Sequence, residues 1–555
     1  MEKDLDHDAY SEAPSIESGV TITDNVDGLQ RHLNNRQIQL IAIGGSIGTA
    51  IFISIGNGLA AGGPLSLLLA YTIYSCVMAC ITNSVAEMVV LYPVSGGFIR
   101  LASHFTDEAL GFMVGWNFFI YEALLIPFEI TAINLVLSYW RDDIPVAAVC
   151  AAVIAAYAST NVLAVRGYGE AEFWLSSGKV ILIFILFLFT FVTMVGGNPQ
   201  KDAYGFRHWA NPFAENSLRS SRGDLSRFEG FLACLWNAAF TVVGPEYIAM
   251  VAAETKRPRA YIKTAYKVMY WRFVLFFVVS AFCVGTVVAW NDPKLQSILH
   301  GGGHGAGTAA ASPYVIAMSN LGIEALPHVV NALIITSIFS AGNTYTYCAS
   351  RTLYSLALSG HAPKVFTKTT RKGVPILALA VTMLFPFLSF LQLSGNSSTV
   401  LVWLIDVITA GALIDFTVIC TTYLMFYRAC RAQYFDRRWL PYTAWFQPYC
   451  AWIGAIATVF VCLCYGYTSF VPWSMQSFFR NYTLQIFNIV LFLGWKLAKK
   501  TRWQKAKDID LVWERPVIDA YEASFTDAPN GFWTEVLQLF GMRRGRKDSG
   551  QDIRP

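Results

Sequence analysis

Apolar residues fall in long uninterrupted runs along this chain, separated by short polar stretches. A bilayer core takes about 20 mostly apolar residues per helix, and twelve runs meet that pattern. They predict membrane helices at Ile38–Leu59, Leu65–Leu91, Leu110–Tyr139, Ile144–Ala164, Phe173–Val195 and Phe231–Ala253, then at Tyr266–Trp290, Ala325–Ala349, Pro375–Leu393, Val400–Tyr427, Ala444–Tyr465 and Leu484–Leu497. The last run is shorter than the others. Polar tails flank the set, so the chain divides into an N-terminal tail (1–37), one transmembrane domain (38–498) and a C-terminal tail (499–555).

Two of these runs are interrupted at corresponding places. The first reads "LIAIGGSIGTAIFISIGNG", with the small cluster Gly44 to Thr49 at mid-span, and the sixth carries Gly244-Pro245 at its centre. Spans one and six are five apart, as expected if spans one to five recur as spans six to ten with inverted topology. Transporters built that way bind substrate near the midplane between two discontinuous helices. An unwound turn leaves backbone groups unpaired, which a membrane tolerates only where a cavity or ligand satisfies them. The start of a resumed half-helix favours a carboxylate, and freed carbonyls accept from an ammonium. The pair therefore suits the zwitterionic head of an amino acid. Close helix packing, as in Gly44-xxx-Gly48 and Gly111-xxx-Gly115, explains either glycine cluster alone. It does not explain two breaks in register with Glu246 beside one.

Composition agrees with a membrane protein. Charged residues make up 14% of the chain, against about 25% in soluble proteins, too few to cover a water-facing surface. Aromatics reach 15% and mean hydropathy is +0.44. Most of the eleven cysteines lie inside apolar runs and read as small hydrophobes, so no disulfide framework is expected. The acidic start of the chain lacks an apolar signal-peptide core, which leaves the first span as the targeting signal.

The placement of charge gives an orientation. With the N-terminus inside, inner segments near the spans hold about 23 Lys and Arg and outer loops about 8. "KRPRAYIK", "KVFTKTTRK", "RACRAQYFDRR" and "KLAKKTRWQKAK" contribute most. Both tails are then cytoplasmic, although the long outer loop at 197–229 carries five basic residues among acidic ones. The sequons at Asn396 and Asn481 fall outside, close to the membrane. The outer stretch "HGGGHGAGTAA" has two histidines but no third ligand type, and reads as a flexible polar loop. No nucleophile–base pair, metal-ligand spacing or dinucleotide fingerprint appears, and nothing suggests nucleic acid as a partner. The chain gives no reason to expect an enzyme or a bound cofactor.

The motifs themselves carry a resemblance. "IAIGGSIGTAIF", "AEMVVLYPVSGGF", "GWNFF…LLIPFEITA", "GEAEFWLSSGKVILI", "GPEYIAMVAAETKRPRAYIKTAYK" and "TSIFSAGNTYTYCASRTLYSLA…GHAPK" stand in the order found in fungal amino-acid permeases. The chain resembles that family, the yeast amino acid transporters within the amino acid–polyamine–organocation superfamily, from about Leu33 to the last span. The resemblance implies an all-α fold of ten core helices in a 5+5 inverted repeat plus two peripheral helices. It also implies proton-driven amino-acid uptake at the plasma membrane. By it, the substrate carboxylate meets the amides of Gly48, Thr49 and Ala50, and the ammonium meets carbonyls at Ser46, Phe240 and Val243. Phe240 gates the site, and Gly244, Glu129 and Asn343 border it. Ala50 departs from the family, where glycine is usual, and Asp406 stands where asparagine is common.

Ionisable groups inside spans are costly and mark function: here Glu87, Glu122, Glu129, Lys179, Glu246, Arg272, Asp406 and Asp415. Glu87 and Arg272 lie near span ends and suit snorkelling or a structural ion pair. Glu122 and Glu129 share a helix face two turns apart. The resemblance puts Lys179 where sodium-coupled relatives hold their ion. It either braces the break in span one and releases a proton, or pairs with a carboxylate as a structural lysine. Glu129, Lys179 and Glu246 are the candidates for proton coupling. Asn343 is expected to touch substrate or Lys179, or to hydrogen-bond between helices. The expected function is proton-coupled amino-acid import, with proline or neutral amino acids favoured by the resemblance of the "GPEY" segment. The rivals are an exchanger or facilitator for amines such as GABA or polyamines, and a non-transporting sensor, against which the short N-terminal tail speaks. The C-terminal stretch "DLVWERPVIDAYEASF" is expected to pack on the cytoplasmic face or bind regulators, and lysines in the tails are candidates for ubiquitin.

Overall fold

The computed structural model describes residues 31–539 except 142, 163–164, 216–222, 301–311, 371–372, 394–396 and 471. The sequon at Asn396 and the glycine-rich part of "HGGGHGAGTAA" lie outside the described residues. Within them the chain is helical, with two isolated bridges, Leu33 with Thr255 and Phe470 with Trp473. Eight helices among the described residues are long and apolar enough to cross a membrane. Their outward faces are apolar: on the helix Val165–Met194, Ile181, Phe184, Leu188 and Phe191 are exposed in one i, i+3, i+7, i+10 stripe. A stripe of that kind faces a core in a soluble protein and faces lipid in a membrane protein. The polar residues point inward instead. On Leu326–Leu358, Ser337, Ser340, Asn343, Thr344 and Thr346 are all fully buried.

The predicted spans map onto helices with shifted ends. The first helix begins at Asn35, where Asn34 and Gln37 form a capping box, and it stops at Ser46 with Ile47 extended. It resumes as a π-turn at Ala50–Ser54 and continues as a helix to a sharp kink at Gly63, φ +82°, ahead of Pro64, beyond which span two runs to Leu91. Span four is the 17-residue helix Val146–Val162. Span nine is a short helix, Ile376–Thr382, continued as a 3-10 stretch, Phe385–Leu393. The last span is longer than its apolar run: it starts at Met475 and ends at Lys499. Its first turns are polar enough to hide in the sequence, and they include Asn481. That sequon sits inside a helix, buried, with its amide donating to Ser469 Oγ at 2.9 Å.

Glu108–Leu137, opened by Asp107 accepting from the Ala109 amide at 2.9 Å, packs along Leu326–Leu358. The first helix lies against both Val165–Met194 and Leu326–Leu358, and also against the short helix Pro245–Val251. These contacts bring the two interrupted helices face to face at the centre of the bundle.

Candidate functional site

Helix Asp224–Thr241 ends with Val242 extended, and Gly244 adopts φ +141° before Pro245 starts the next helix. A side chain is rarely found in that conformation, and a Cβ there would also stand 3.1 Å from Ser46 Cβ. The break in the sixth span therefore abuts the end of the first helix. Glu246, in the first turn after the break, turns back and accepts the Gly244 amide with both oxygens, at 3.2 and 3.1 Å. Tyr266 Oη donates to the Pro245 carbonyl at 3.1 Å.

The break in the first span is held by residues from three other helices. Lys179 Nζ donates to the carbonyls of Gly44 at 2.6 Å and Ile47 at 2.8 Å. Tyr345 Oη donates to the Gly45 carbonyl at 3.0 Å. Glu129 accepts from the Thr49 amide at 3.4 Å and from the Thr49 hydroxyl. Gly48 makes the last contact possible, since a Cβ would lie 2.6 Å from Glu129 Oε1 and 2.9 Å from Ala341 Cβ. Lys179 is fully buried and meets carbonyls, with no carboxylate in ion-pair contact among the described residues.

Between the two breaks lies a cavity of about 20 Å³, room for one water and no more. Ser46, Gly48 and Ala50 line it from the first break, Phe240, Thr241 and Val243 from the second. Helix Glu108–Leu137 supplies Tyr121, Leu125, Phe128 and Glu129, and Tyr345 closes it. Phe240 meets Phe128 edge to face, centroids 5.5 Å apart and planes at 85°. Of the residues expected at the site, Thr49, Gly244, Lys179 and Glu246 sit behind this lining and shape it through the backbone.

Asn343 takes the expected role between helices and not the one at the cavity, which is corrected. It does not reach the cavity or Lys179; its Oδ1 accepts from Thr160 Oγ1 at 2.7 Å and Asn161 Nδ2 at 2.9 Å, tying Leu326–Leu358 to Val146–Val162. Arg272 does not snorkel: it is buried and donates to the Gln39 carbonyl at 2.9 Å and side chain at 2.5 Å. Glu87 is structural, bridged by two Arg437 nitrogens, Nε and Nη2, at 2.7 and 2.6 Å and by the Ala444 amide at 2.8 Å. Asp406 pairs with Arg480 at 2.5 Å and Tyr465 at 2.7 Å, away from the site. Asp415 accepts from Asn117 at 2.9 Å, and the oxygens of Glu122 are buried.

Sequence reasoning did not single out Tyr121, Leu125, Phe128, Thr241 or Tyr345. The first three stand at i, i+4 and i+7 with Glu129 at i+8, a helical face that Glu129 itself points to. Two further carboxylates escaped. Glu172, fully buried, accepts from Ser176 Oγ at 2.7 Å and from Ser340 Oγ behind Gly44. Glu254 pairs with Arg351 at 3.3 Å, both buried, and the Arg351 guanidinium lies 3.8 Å over the Tyr347 ring. Beside that pair the chain crosses itself: the Leu33 amide donates to the Glu254 carbonyl and the Lys256 amide to the Leu33 carbonyl, each at 3.0 Å.

Comparison with known proteins agrees with this architecture. The profile of a family described as Amino acid permease matches residues 37–508. The general amino acid permease AGP2 of Saccharomyces cerevisiae is 46% identical over 487 residues, 86% of this chain and 80% of that one. A proline-specific permease of Emericella nidulans is 35% identical over 91% of this chain and 93% of its own length. A lysine-specific permease of Saccharomyces cerevisiae is 33% identical over 91% and 82%. In three dimensions the fold is similar to the crystal structure of a mutant manganese transporter of Eremococcus coleocola, with TM-score 0.51 and 14% identity over 88% of this chain and 94% of that one. With its family match over most of its length and its bundle of apolar membrane helices, the chain belongs to the amino acid permease family.

Proposed function

We propose that this protein is a proton-coupled symporter importing amino acids across a fungal plasma membrane by alternating access, with both tails cytoplasmic and a 5+5 inverted repeat as its core. One observation carries the reading: two helices, five spans apart, break opposite one another and line one cavity. The half-helix after the first break offers amides near Gly48, Thr49 and Ala50 to a carboxylate. Ser46, Phe240 and Val243 offer carbonyls to an ammonium. The site is too small for any amino acid in this conformation, so it is a closed state, and Phe240 with Phe128 must part to admit substrate.

The relatives' names divide between general, proline and lysine transport, so selectivity is read from the lining. Leu125, Phe128, Phe240 and Val243 are apolar and Glu129 is the charged group among the lining residues. That supports neutral amino acids, proline among them. Glu129 and Lys179 hold the first break from two different helices, and a proton gained or lost by either changes how firmly the break is held.

Uptake of a labelled neutral amino acid into deficient cells tests the proposal. It is expected to rise with outer acidity, to collapse on adding an uncoupler, and to yield to competition from neutral amino acids more than from basic ones. Uptake indifferent to the uncoupler would defeat the symport claim, and competition led by basic amino acids or polyamines would defeat the substrate class.

A further inference from the structure

The C-terminal tail reaches across 500 positions of sequence to the start of the first helix. Glu535, on helix Phe532–Leu539, accepts from the Arg36 amide at 2.8 Å and from the Asn35 amide at 3.3 Å. Asn35 Nδ2 also donates to the Asn530 carbonyl at 3.1 Å. The opening amides of a helix have no partner within it, so a carboxylate from the far end of the chain completes the cap of the helix that carries the substrate break. Glu535 itself is buried.

The tail grips the neighbouring strand of the crossing as well. Tyr521 Oη donates to the Lys256 carbonyl at 2.8 Å, Phe525 lies 4.4 Å under the Arg257 guanidinium, and Glu522 accepts from the Arg259 amide at 2.8 Å. Leu33 and Thr255 are the two residues that pair where the broken helices meet on this face. Glu535 holds the chain two and three residues beyond Leu33, and Tyr521 and Phe525 hold it one and two residues beyond Thr255. A tail that stabilised only itself would have no reason to fasten both partners of that pairing.

We propose that Glu535 is a positioning residue of the transport cycle: by capping the first helix it fastens the C-terminal tail across the Leu33–Thr255 pairing, and the tail must release before the inner gate opens. The inference rests on the alternating-access reading and the cytoplasmic placement of the tails. Its readout is Cys348, fully buried on Leu326–Leu358, three residues from Arg351, whose pair with Glu254 beside the Leu33–Thr255 crossing is the inner gate of this proposal, and three from Tyr345 of the cavity. Cys348 becomes reachable from the tail-bearing side only when the gate opens, and its alkylation needs neither substrate nor a proton gradient, so this test fails separately from the transport claim.

In inside-out vesicles holding the full chain, alkylation of Cys348 by a membrane-impermeant maleimide is followed by peptide mass spectrometry. Glu535→Ala is expected to speed it about fivefold, what loss of one helix cap does to a two-state ratio. Glu535→Gln, which keeps one of the two acceptor oxygens, is expected to fall between Glu535→Ala and wild type. Equal rates in Glu535→Ala and wild type would overturn the proposal. Should Glu535→Ala fail to reach the membrane, the pair Asn35→Cys with Asn530→Cys tests the same point in a chain that keeps Glu535. Oxidation is expected to cross-link them, slow Cys348 alkylation and stop uptake until a reductant is added. Full uptake by the cross-linked protein, or failure of the pair to cross-link, refutes the latch.

Discussion

The two breaks solve one problem in opposite ways. Both interrupt a helix in a setting without water, and both must satisfy the backbone groups they release. The sixth span does so locally: Glu246 caps the Gly244 amide two residues behind it, and Tyr266 of the following helix takes the Pro245 carbonyl. The first span borrows instead. Lys179, Glu129 and Tyr345 come from three different helices to hold Gly44, Gly45, Ile47 and Thr49. A self-capped break can move as a unit with its half-helix. A break held from outside changes shape whenever its holders change charge or position, and the proposed proton coupling is placed there for that reason.

That contrast makes the holders of the first break the most sensitive positions. Lys179→Met removes two charge-assisted bonds and leaves the Gly44 and Ile47 carbonyls without their donor. At about 1.5 kcal/mol or more for each such bond, uptake should fall by roughly 100-fold or more. Surface biotinylation would show whether the variant reaches the membrane in normal amount. Retained uptake there would mean that the first break does not depend on its external brace.

Glu129→Gln sharpens the same point by keeping shape and losing charge. The amide oxygen still accepts from Thr49, so binding should survive while accumulation loses its response to outer pH. The expected cost is about tenfold in gradient-driven uptake, in the range of a single charged hydrogen bond. A pH response equal to that of wild type would remove Glu129 from the coupling machinery. At the self-capped break the effects should be smaller. Glu246→Ala uncaps Gly244, a loss of about 1 kcal/mol or roughly fivefold in uptake, and Glu246→Gln should be nearly silent. A Glu246→Gln variant as damaged as Lys179→Met would erase the distinction between the two breaks.

Much of this is open to reading from residue order alone. The two interruptions stand out because glycine and proline are poor helix formers inside long apolar runs, and Glu129 and Lys179 stand out because charge is rare there. What stays hidden lies at the edges of those runs. Glu172 falls one residue before Phe173 and Glu254 one residue after Ala253, so hydropathy counts each as loop although each is buried among helices. Hydropathy ends a span where the first charge appears, whereas the fold keeps that charge inside when a partner such as Arg351 or Ser340 waits there. Asn343 stays open between two expected roles for a related reason. Its sequence neighbours fix its helix, but which face meets Val146–Val162 depends on packing between segments far apart in the chain. The role of Glu535 has no local signature at all, since the amides it caps lie 500 and 499 positions away.

The last expected effect concerns that distant cap, and its sign follows from how Glu535 is held. Burial pushes its carboxyl above the ordinary carboxylate value, against the pull of the Arg36 and Asn35 amides and the positive charges of Arg36 and Lys256. A docked tail therefore binds a proton more readily than a free one. Docking gains its full benefit below the ordinary carboxylate value and loses it as pH rises through the raised one. Protease cleavage of the tail in inside-out vesicles should accordingly slow as the bathing pH falls through that window, by no more than about tenfold per pH unit for a single proton. Glu535→Gln carries no proton to exchange, so its cleavage should lose the slope. Faster cleavage on acidification would mean that the charge, and not the acceptor oxygens, holds the cap, and the self-capped and tail-capped ends would then differ in kind as well as in distance.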